Sequence, residues 1–237
     1  MKKFIALMLT CVVSVSCSLC CFASTEAQVD QVPDYYTEEY QQEVKAVVAE
    51  AEAYLENKLR LRTGAKKYLS VPLYKQIKDY YCGVASAQMV LEFLKAPGEI
   101  DQEKLAADDY FETDKKGSTS VYNLVNGLNN RLGSKKYMSI LIDDLAFATG
   151  LIYSIDAEYP VVCHVDTRKL PAYSGYSCGH YVVATGYNYG SVPSSQSNVR
   201  YNDPNYDNKY YGRFDVDFGV MESAIDARSG YYIMKKR

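Results

Sequence analysis

Apolar positions at three- and four-residue spacing run from Tyr40 through Val44, Val47, Val48, Ala51, Tyr54 and Leu55 to Leu59. This is the single stripe of an amphipathic helix. Thr37 is placed to cap it, Glu38 and Glu39 suit its positive end, Lys58, Arg60 and Arg62 suit its negative end, and Gly64 stops it. A short strand is expected over 68–74, with Pro72 consistent with a sheet edge. A different pattern starts at Cys82. Val84, Ala85, Ala87, Met89, Val90, Leu91, Phe93 and Leu94 are interrupted only by Ser86, Gln88, Glu92 and Lys95 before Pro97-Gly98 ends the run. A helix apolar on nearly all sides is a buried one. Residues 101–107 predict a short helix and 108–117 a charged loop. Ser118 is expected to cap a helix through Leu132 that turns Val121, Leu124, Val125, Leu128 and Leu132 inward. Residues 137–140 predict a strand, and Leu145, Ala148, Leu151, Ile152 and Ile155 a further helix interrupted by Gly150.

The second half changes period. Residues 159–165, 180–187, 199–202, 210–216 and 231–234 predict strands, 220–227 a short helix, and 191–198 a polar loop. Helices first and an antiparallel sheet later describe an α+β domain. The 24 tyrosines and absent tryptophan fit half-buried strand positions better than a carbohydrate- or peptide-binding face.

Residues 1–23 read as an export signal of bacterial type. Lys2 and Lys3 make a basic start, and residues 4–15 form an apolar core too short to span a bilayer. Cys21-Phe22-Ala23 places small residues where a signal peptidase inspects, so cleavage is expected after Ala23, with Ala27 the rival. A lipoprotein is disfavoured, because none of Cys17, Cys20 and Cys21 has an aliphatic residue three positions before it. The expected organisation is a signal at 1–23, a leader and N-terminal helix at 24–66, and one domain at 67–237. The formal charge of −3 becomes more negative once Lys2 and Lys3 leave, and there is no basic run. Nucleic acid and anionic membrane are therefore poor partners. The exported chain is expected at the cell surface or released, without stable membrane insertion.

Of seven cysteines, Cys11, Cys17, Cys20 and Cys21 leave with the signal, and Cys82, Cys163 and Cys178 remain. An odd count in an exported protein suggests one pair and one free thiol. Cys163 and Cys178, on neighbouring strands of an expected hairpin, are the predicted disulfide. Cys82 then sits at the start of the buried helix, where amide N–H groups and the positive end of the macrodipole gather. Such a setting lowers a thiol pKa from about 8.5 toward the 3.5–7.5 range, and the thiolate is the nucleophile. Gln76, six residues earlier, is placed to join the Cys82 N–H as a second oxyanion donor. The base is one of two histidines, His164 and His180. His180 is favoured because Gly179 beside it leaves room for substrate, whereas His164 lies mid-strand. Asp203, at a strand end before Pro204, is expected to orient the imidazole, with Asn202 and Asn188 weaker candidates. Taken singly, a cysteine at a helix start is most often a small buried residue, and a histidine on a strand is most often structural. The order Gln, Cys, His, Asp lifts the joint reading.

Three motifs carry a resemblance: Val71-Pro72-Leu73-Tyr74-Lys75-Gln76 with Tyr81-Cys82-Gly83; Gly179-His180-Tyr181-Val182-Val183-Ala184-Thr185-Gly186-Tyr187; and Asn202-Asp203-Pro204. In that order they resemble the papain-like cysteine peptidases related to bacteriocin double-glycine leader peptidases, over roughly residues 68–236. Gly117-Ser118-Thr119-Ser120 before a helix is also similar. The resemblance implies a papain-like α+β fold in which the cysteine helix packs on the sheet carrying the histidine. It implies Cys82 as nucleophile, His180 as general base and then acid, Asp203 as its orienting partner and Gln76 at the oxyanion hole, with no cofactor. Val84 stands where the family commonly has proline, a mild change at a helix start. The expected function is an exported, stand-alone cysteine peptidase acting on a peptide or protein. Two alternatives remain: a catalytically silent peptide-binding module of the same fold, and an acyl transferase of transpeptidase or transglutaminase type. A zinc site from Cys163, His164, Cys178 and His180 does not match usual ligand spacing.

Overall fold

The computed structural model describes residues 37–60, 65–190 and 197–237. The export segment, the expected helix stop at Gly64 and most of the polar loop at 191–198 lie outside the described residues.

The chain opens with helix α1, Glu38–Arg60, whose first turn is capped by Thr37 accepting from the Tyr40 N–H at 3.3 Å. Strand β1, Ala65–Tyr68, follows. Then come α2, Cys82–Phe93; α3, Gln102–Ala107; the short α4, Thr113–Lys116; and α5, Val121–Arg131. Strand β2, Tyr137–Leu141, and helix α6, Phe147–Asp156, complete the helical half. The remainder is β3, Val161–Asp166; β4, Gly179–Tyr189; β5, Asn198–Asp203; β6, Gly212–Asp217; α7, Phe218–Asp226; and β7, Tyr231–Lys235.

The sheet runs β2-β7-β3-β4-β5-β6, with every described pairing antiparallel and β1 added to β4. Strand β4 is its axis. One edge carries β5. The other carries β3 along Gly179 to Ala184 and then β1 along Gly186 to Tyr189, so β3 and β1 lie end to end. Helix α2 packs on β4, α6 packs on β4 and β7, α7 packs on β3, and α1 packs on α6. The expected α+β architecture, with the cysteine helix on the histidine strand, is what the chain adopts. Among the described residues no helix is long and apolar enough to cross a membrane.

Three local expectations change. The strand expected over 68–74 ends at Tyr68. Beyond it, side chains replace the ladder. Asn202 Nδ2 donates to the carbonyls of Val71 and Pro72 at 3.3 and 3.0 Å, Arg213 Nη2 to Val71 at 3.2 Å, and Tyr211 Oη to Leu73 at 3.3 Å. The charged loop at 108–117 contains α4, closed by Gly117 in the left-handed region at φ 68°. The cap of α5 is Ser120, not Ser118, accepting from the Asn123 N–H at 3.1 Å. Gly150 inside α6 has a packing reason: a Cβ there would lie 2.4 Å from the Tyr232 hydroxyl.

Many tyrosines are core. Tyr81, Tyr137, Tyr173, Tyr187, Tyr201 and Tyr232 are among the largest fully buried side chains. A buried phenol needs a partner for its hydroxyl; Tyr137 donates to the Pro160 carbonyl at 3.0 Å and Tyr232 to that of Leu145 at 2.9 Å. Tyr187, at the far end of β4, donates to Asp156 at 2.7 Å, and the same carboxylate accepts from Tyr54 at 2.8 Å and pairs with Lys58. Asp156 thus ties α1 and α6 to β4. Burial pushes its pKa up, but the bonds from Lys58, Tyr187 and Tyr54 outweigh this and hold it below the usual carboxylate value. A lowered pKa means the stabilisation is present at neutral pH and is lost as pH falls through the folded-state value. Asp156→Ala should lower stability by about 2 kcal/mol in denaturant unfolding at neutral pH. The gap to wild type should narrow below pH 3.8; a gap independent of pH would show that the cluster does not act through charge.

Candidate active site

Cys82 opens α2, behind an N-cap residue, Tyr81, that supplies no side-chain cap bond. The first-turn N–H groups therefore have neither an intrahelical acceptor nor a capping side chain. The apolar sequence explains the placement. Gly83 through Ala87 and Met89 through Leu91 are buried, and Ser86 Oγ reaches the Tyr181 carbonyl on β4 at 3.4 Å. The helix is thereby seated on the strand that carries His180. Gly83 lets Thr119 pack directly on the helix start, where a Cβ would meet the threonine at 2.6 Å. Cys82 itself is half-buried and unpaired as a thiol.

His180 is the second residue of β4 and is 3% exposed; Asp203 closes β5 and is fully buried. The antiparallel register of β4 on β5 brings their ends together. His180 Nε2 bonds Asp203 Oδ1 at 2.8 Å. With Nε2 so engaged, Nδ1 is the nitrogen left for Cys82, whose sulfur acts on the His180 charge. Burial disfavours the imidazolium, but the Asp203 carboxylate and the Cys82 sulfur outweigh it and raise the His180 pKa well above 6.5. Asp203 is held in turn. Its Oδ1 also accepts from the Asn205 N–H at 2.9 Å, and its Oδ2 accepts from Tyr173 Oη at 2.8 Å. Asn205 Nδ2 donates to the same Tyr173 oxygen at 3.0 Å, and the Tyr173 ring stacks on Tyr210 at 4.4 Å.

Gln76 is brought to the same end of the sheet: its N–H donates to the Pro204 carbonyl, one residue past Asp203, at 2.7 Å. Its side chain is buried, but the amide is turned away from the expected oxyanion role. Nε2 donates to the Lys78 and Asp79 carbonyls at 2.9 and 2.8 Å, so both amide hydrogens are in use. Oε1 is buried without a hydrogen-bond partner among the described residues. Gln102, at the start of α3, clamps the backbone on either side: its Oε1 accepts from the Ile77 N–H at 3.0 Å and its Nε2 donates to the Lys75 carbonyl at 2.9 Å.

The other candidates fall elsewhere. Asn202 serves the 71–72 segment and accepts from Arg213 at 3.0 Å. Asn188 lies eight residues along β4 from His180, opposite Asn198. His164 is buried, stacked on Tyr181 at 4.5 Å. Cys163 and Cys178 do not form the expected disulfide. The ladder explains why. Cys163 faces Val182, whereas Cys178 precedes Gly179, which faces Asp166, and its carbonyl accepts from the Thr167 N–H at 3.0 Å. Cys163 lies in the middle of β3, and Cys178 lies beyond its C-terminal end. Burial pushes the Cys163 thiol pKa far up, which suits an inert core residue. The space beside Gly179, expected to be open to substrate, is filled by the guanidinium of Arg228, whose Cζ would lie 2.5 Å from a Cβ there.

The Peptidase_C39 like family matches residues 68–232. The chain belongs to that family. Among solved structures, a protein described as a C39-like peptidase from Bacillus anthracis is 21% identical. The match covers 73% of this chain and 98% of that one with a TM-score of 0.52. The peptidase domain of Streptococcus ComA, a bifunctional ABC transporter, is 23% identical over 69% of this chain and 96% of that one, with a TM-score of 0.43. No curated protein matches the chain. The C39-like match begins at Tyr68 and therefore leaves out α1.

Sequence reasoning missed Tyr173 and Gln102. Tyr173 is one of 24 tyrosines, and nothing local marks it. Gln102 carried a signal: it stands three and four residues before Leu105 and Ala106, on the buried side of α3. The electrostatics of this C39-like site can be tested directly. A raised imidazole pKa means that the stabilisation linked to the His180 charge is present below the unfolded value and is lost as pH rises through the folded value. Asp203→Asn removes the main opposing charge, so burial should then dominate. The His180 ring, followed by NMR, should titrate above pH 6.5 in wild type and below it in the variant. A midpoint unmoved by the substitution would remove Asp203 as the source of the shift.

Proposed function

We propose that this C39-like chain is an exported cysteine peptidase that hydrolyses peptide bonds with Cys82, His180 and Asp203. The observation that carries the reading is the buried Asp203–His180 pair beside the half-buried Cys82 at an uncapped helix N-terminus. The raised pKa of His180 favours an imidazolium beside the Cys82 sulfur. The Cys82 sulfur attacks the substrate carbonyl carbon, and the carbonyl π electrons move to oxygen. The Cys82 N–H meets that oxyanion. His180 gives its proton to the leaving amine as the C–N bond breaks, leaving a thioester. Water, deprotonated by His180, then attacks the thioester, and the thiolate departs with release of the acid. Asp203 keeps the ring oriented through both steps.

Gln76 enters as a donor only by surrendering one of its bonds to the Lys78 or Asp79 carbonyl. Catalytic hydrogen bonds often reach their working geometry only once substrate is bound. The same closed amide is what favours the silent peptide-binding alternative. Export rests on the basic and apolar pattern of residues 1–23.

Alkylation of the chain from residue 24 onward separates the readings. Cys82 should label rapidly well below the free-thiol pKa of about 8.5, with loss of labelling in Cys82→Ser and slowing in His180→Ala. Labelling that rises only near the free-thiol range and ignores His180 would make Cys82 an ordinary thiol. On a cleaved peptide, Gln76→Ala should cost about 10²–10³ in kcat in a chain that still folds, its unfolding temperature lowered by the loss of the bonds to the Lys78 and Asp79 carbonyls. Equal turnover would leave Gln76 as a loop anchor alone.

A further inference from the structure

The proposed reaction asks two opposite things of His180. Its ring must give a proton to the leaving amine and then take one from water. The Asp203 carboxylate, 2.8 Å from Nε2, serves the first demand and opposes the second. The more charge it directs at the ring, the harder the imidazolium is to deprotonate. What else bonds Asp203 therefore bears on both steps.

The Asn205 N–H shares Oδ1 with His180, and Tyr173 Oη donates to Oδ2 at 2.8 Å. Tyr173 ends a single helical turn, Pro171–Tyr173, in the crossing from β3 to β4, and its side chain is buried. Asn205 Nδ2 donates to the phenol oxygen at 3.0 Å, so the phenolic hydrogen is left for the carboxylate. Burial above all, and next the Asp203 charge, raise the Tyr173 pKa, so the phenol stays protonated and donates. Its ring lies parallel to that of Tyr210, with 4.4 Å between centroids and 8° between planes, and 6.1 Å from the His180 ring. Tyr210 stacks in turn on Tyr176 at 6.4 Å, in the segment that holds Tyr173. The hydroxyl is thus held in place by Asn205 and by packed rings, independently of the carboxylate. A core phenol that needs only a partner can use a backbone carbonyl, as Tyr137 and Tyr232 do.

We propose that Tyr173 is a positioning residue whose hydroxyl limits the charge that Asp203 presents to His180, so that one ring serves as acid and as base. The proposal rests on the peptidase reading above and deepens it by naming the residue that balances its two proton transfers. Two donors on one carboxylate compete for the same negative charge; without the phenol, that charge falls more fully on His180. The other groups facing the ring are Cys82 at the start of α2 and His164 on β3, with Arg228 beyond it; His164 is kept neutral chiefly by burial. Cys178, before β4, acts on Tyr173. Removing the Tyr173 hydroxyl changes none of these, so a moved His180 titration reports on Asp203.

The first test needs no known substrate. Tyr173→Phe keeps the ring and removes only the hydroxyl, and the His180 ring is followed by NMR across pH in both proteins. The midpoint should rise by about half a unit to one unit in the variant. An unmoved midpoint overturns the proposal and leaves Tyr173 as packing, whatever happens to the unfolding temperature. A lowered midpoint overturns it too, because the hydroxyl would then act by holding Asp203 against the ring. A 3-fluorotyrosine placed at position 173 has a more acidic phenol and should move the midpoint down. This arm decides the matter if Tyr173→Phe does not fold, and a midpoint unmoved or raised there overturns the proposal. On a cleaved peptide, the limb of the kcat profile that reports the base should move up in pH with the NMR midpoint in Tyr173→Phe. Turnover at neutral pH should then fall about three- to tenfold. A limb that stays in place overturns the proposal. A wild-type Cys82 that resists alkylation removes the peptidase reading, and this role with it, whatever the NMR shift.

Discussion

The bond between His180 and Asp203 is the constraint on which the rest of this structure depends. Neither residue can be buried alone. A fully buried carboxylate without partners is costly, and burial by itself would strip the proton from His180. Together they satisfy each other at 2.8 Å, and the surroundings complete the carboxylate with the Asn205 N–H and the Tyr173 hydroxyl. Tyr173 is locked by Asn205 and by the ring of Tyr210. The loops on both sides of the β4–β5 end are therefore shaped around one carboxylate. Pro204 follows it, and its carbonyl, free of ladder duty, holds the Gln76 N–H.

Strand β4 links that end to the opposite one. His180 stands near its start, and Tyr187, seven positions on, bonds the Asp156 carboxylate that also gathers Lys58 and Tyr54 from α1. Helix α1 lies outside the family match, yet its side chains complete a polar cluster on the strand that carries His180. The Asp156 cluster bonds α1 to the far end of β4, away from His180.

Much of this was legible in the residues. The buried helix announced itself through eleven positions in which only Ser86, Gln88 and Glu92 are polar, and the strands through their alternation. Cys82, His180 and Asp203 were found because helix starts and strand ends are where such groups can converge. The strand that failed did so because side chains do the work of backbone. Asn202, Arg213 and Tyr211 satisfy the carbonyls at 71–73, so a segment that reads as strand has no strand partner. The disulfide failed on register, because a separation along the chain does not say how far a hairpin has unpaired before its second cysteine. Gly179 was read as empty space. Only the fold supplies Arg228 from a turn almost fifty residues later.

Gln76 shows what a fold can store at such a site. Its segment is pinned through the Pro204 carbonyl and on both sides by Gln102, so the backbone has little freedom. The side chain nonetheless spends both donors on carbonyls within three residues and leaves a buried oxygen unmatched. Turning the carboxamide over would bring that oxygen against two carbonyl oxygens, which is worse. A rotation that gives up one carbonyl bond for an oxyanion exchanges a neutral hydrogen bond for a charge-assisted one, roughly twice as strong. On the peptidase reading proposed above, the resting arrangement is the closed form of a donor that substrate opens by taking one of these two bonds.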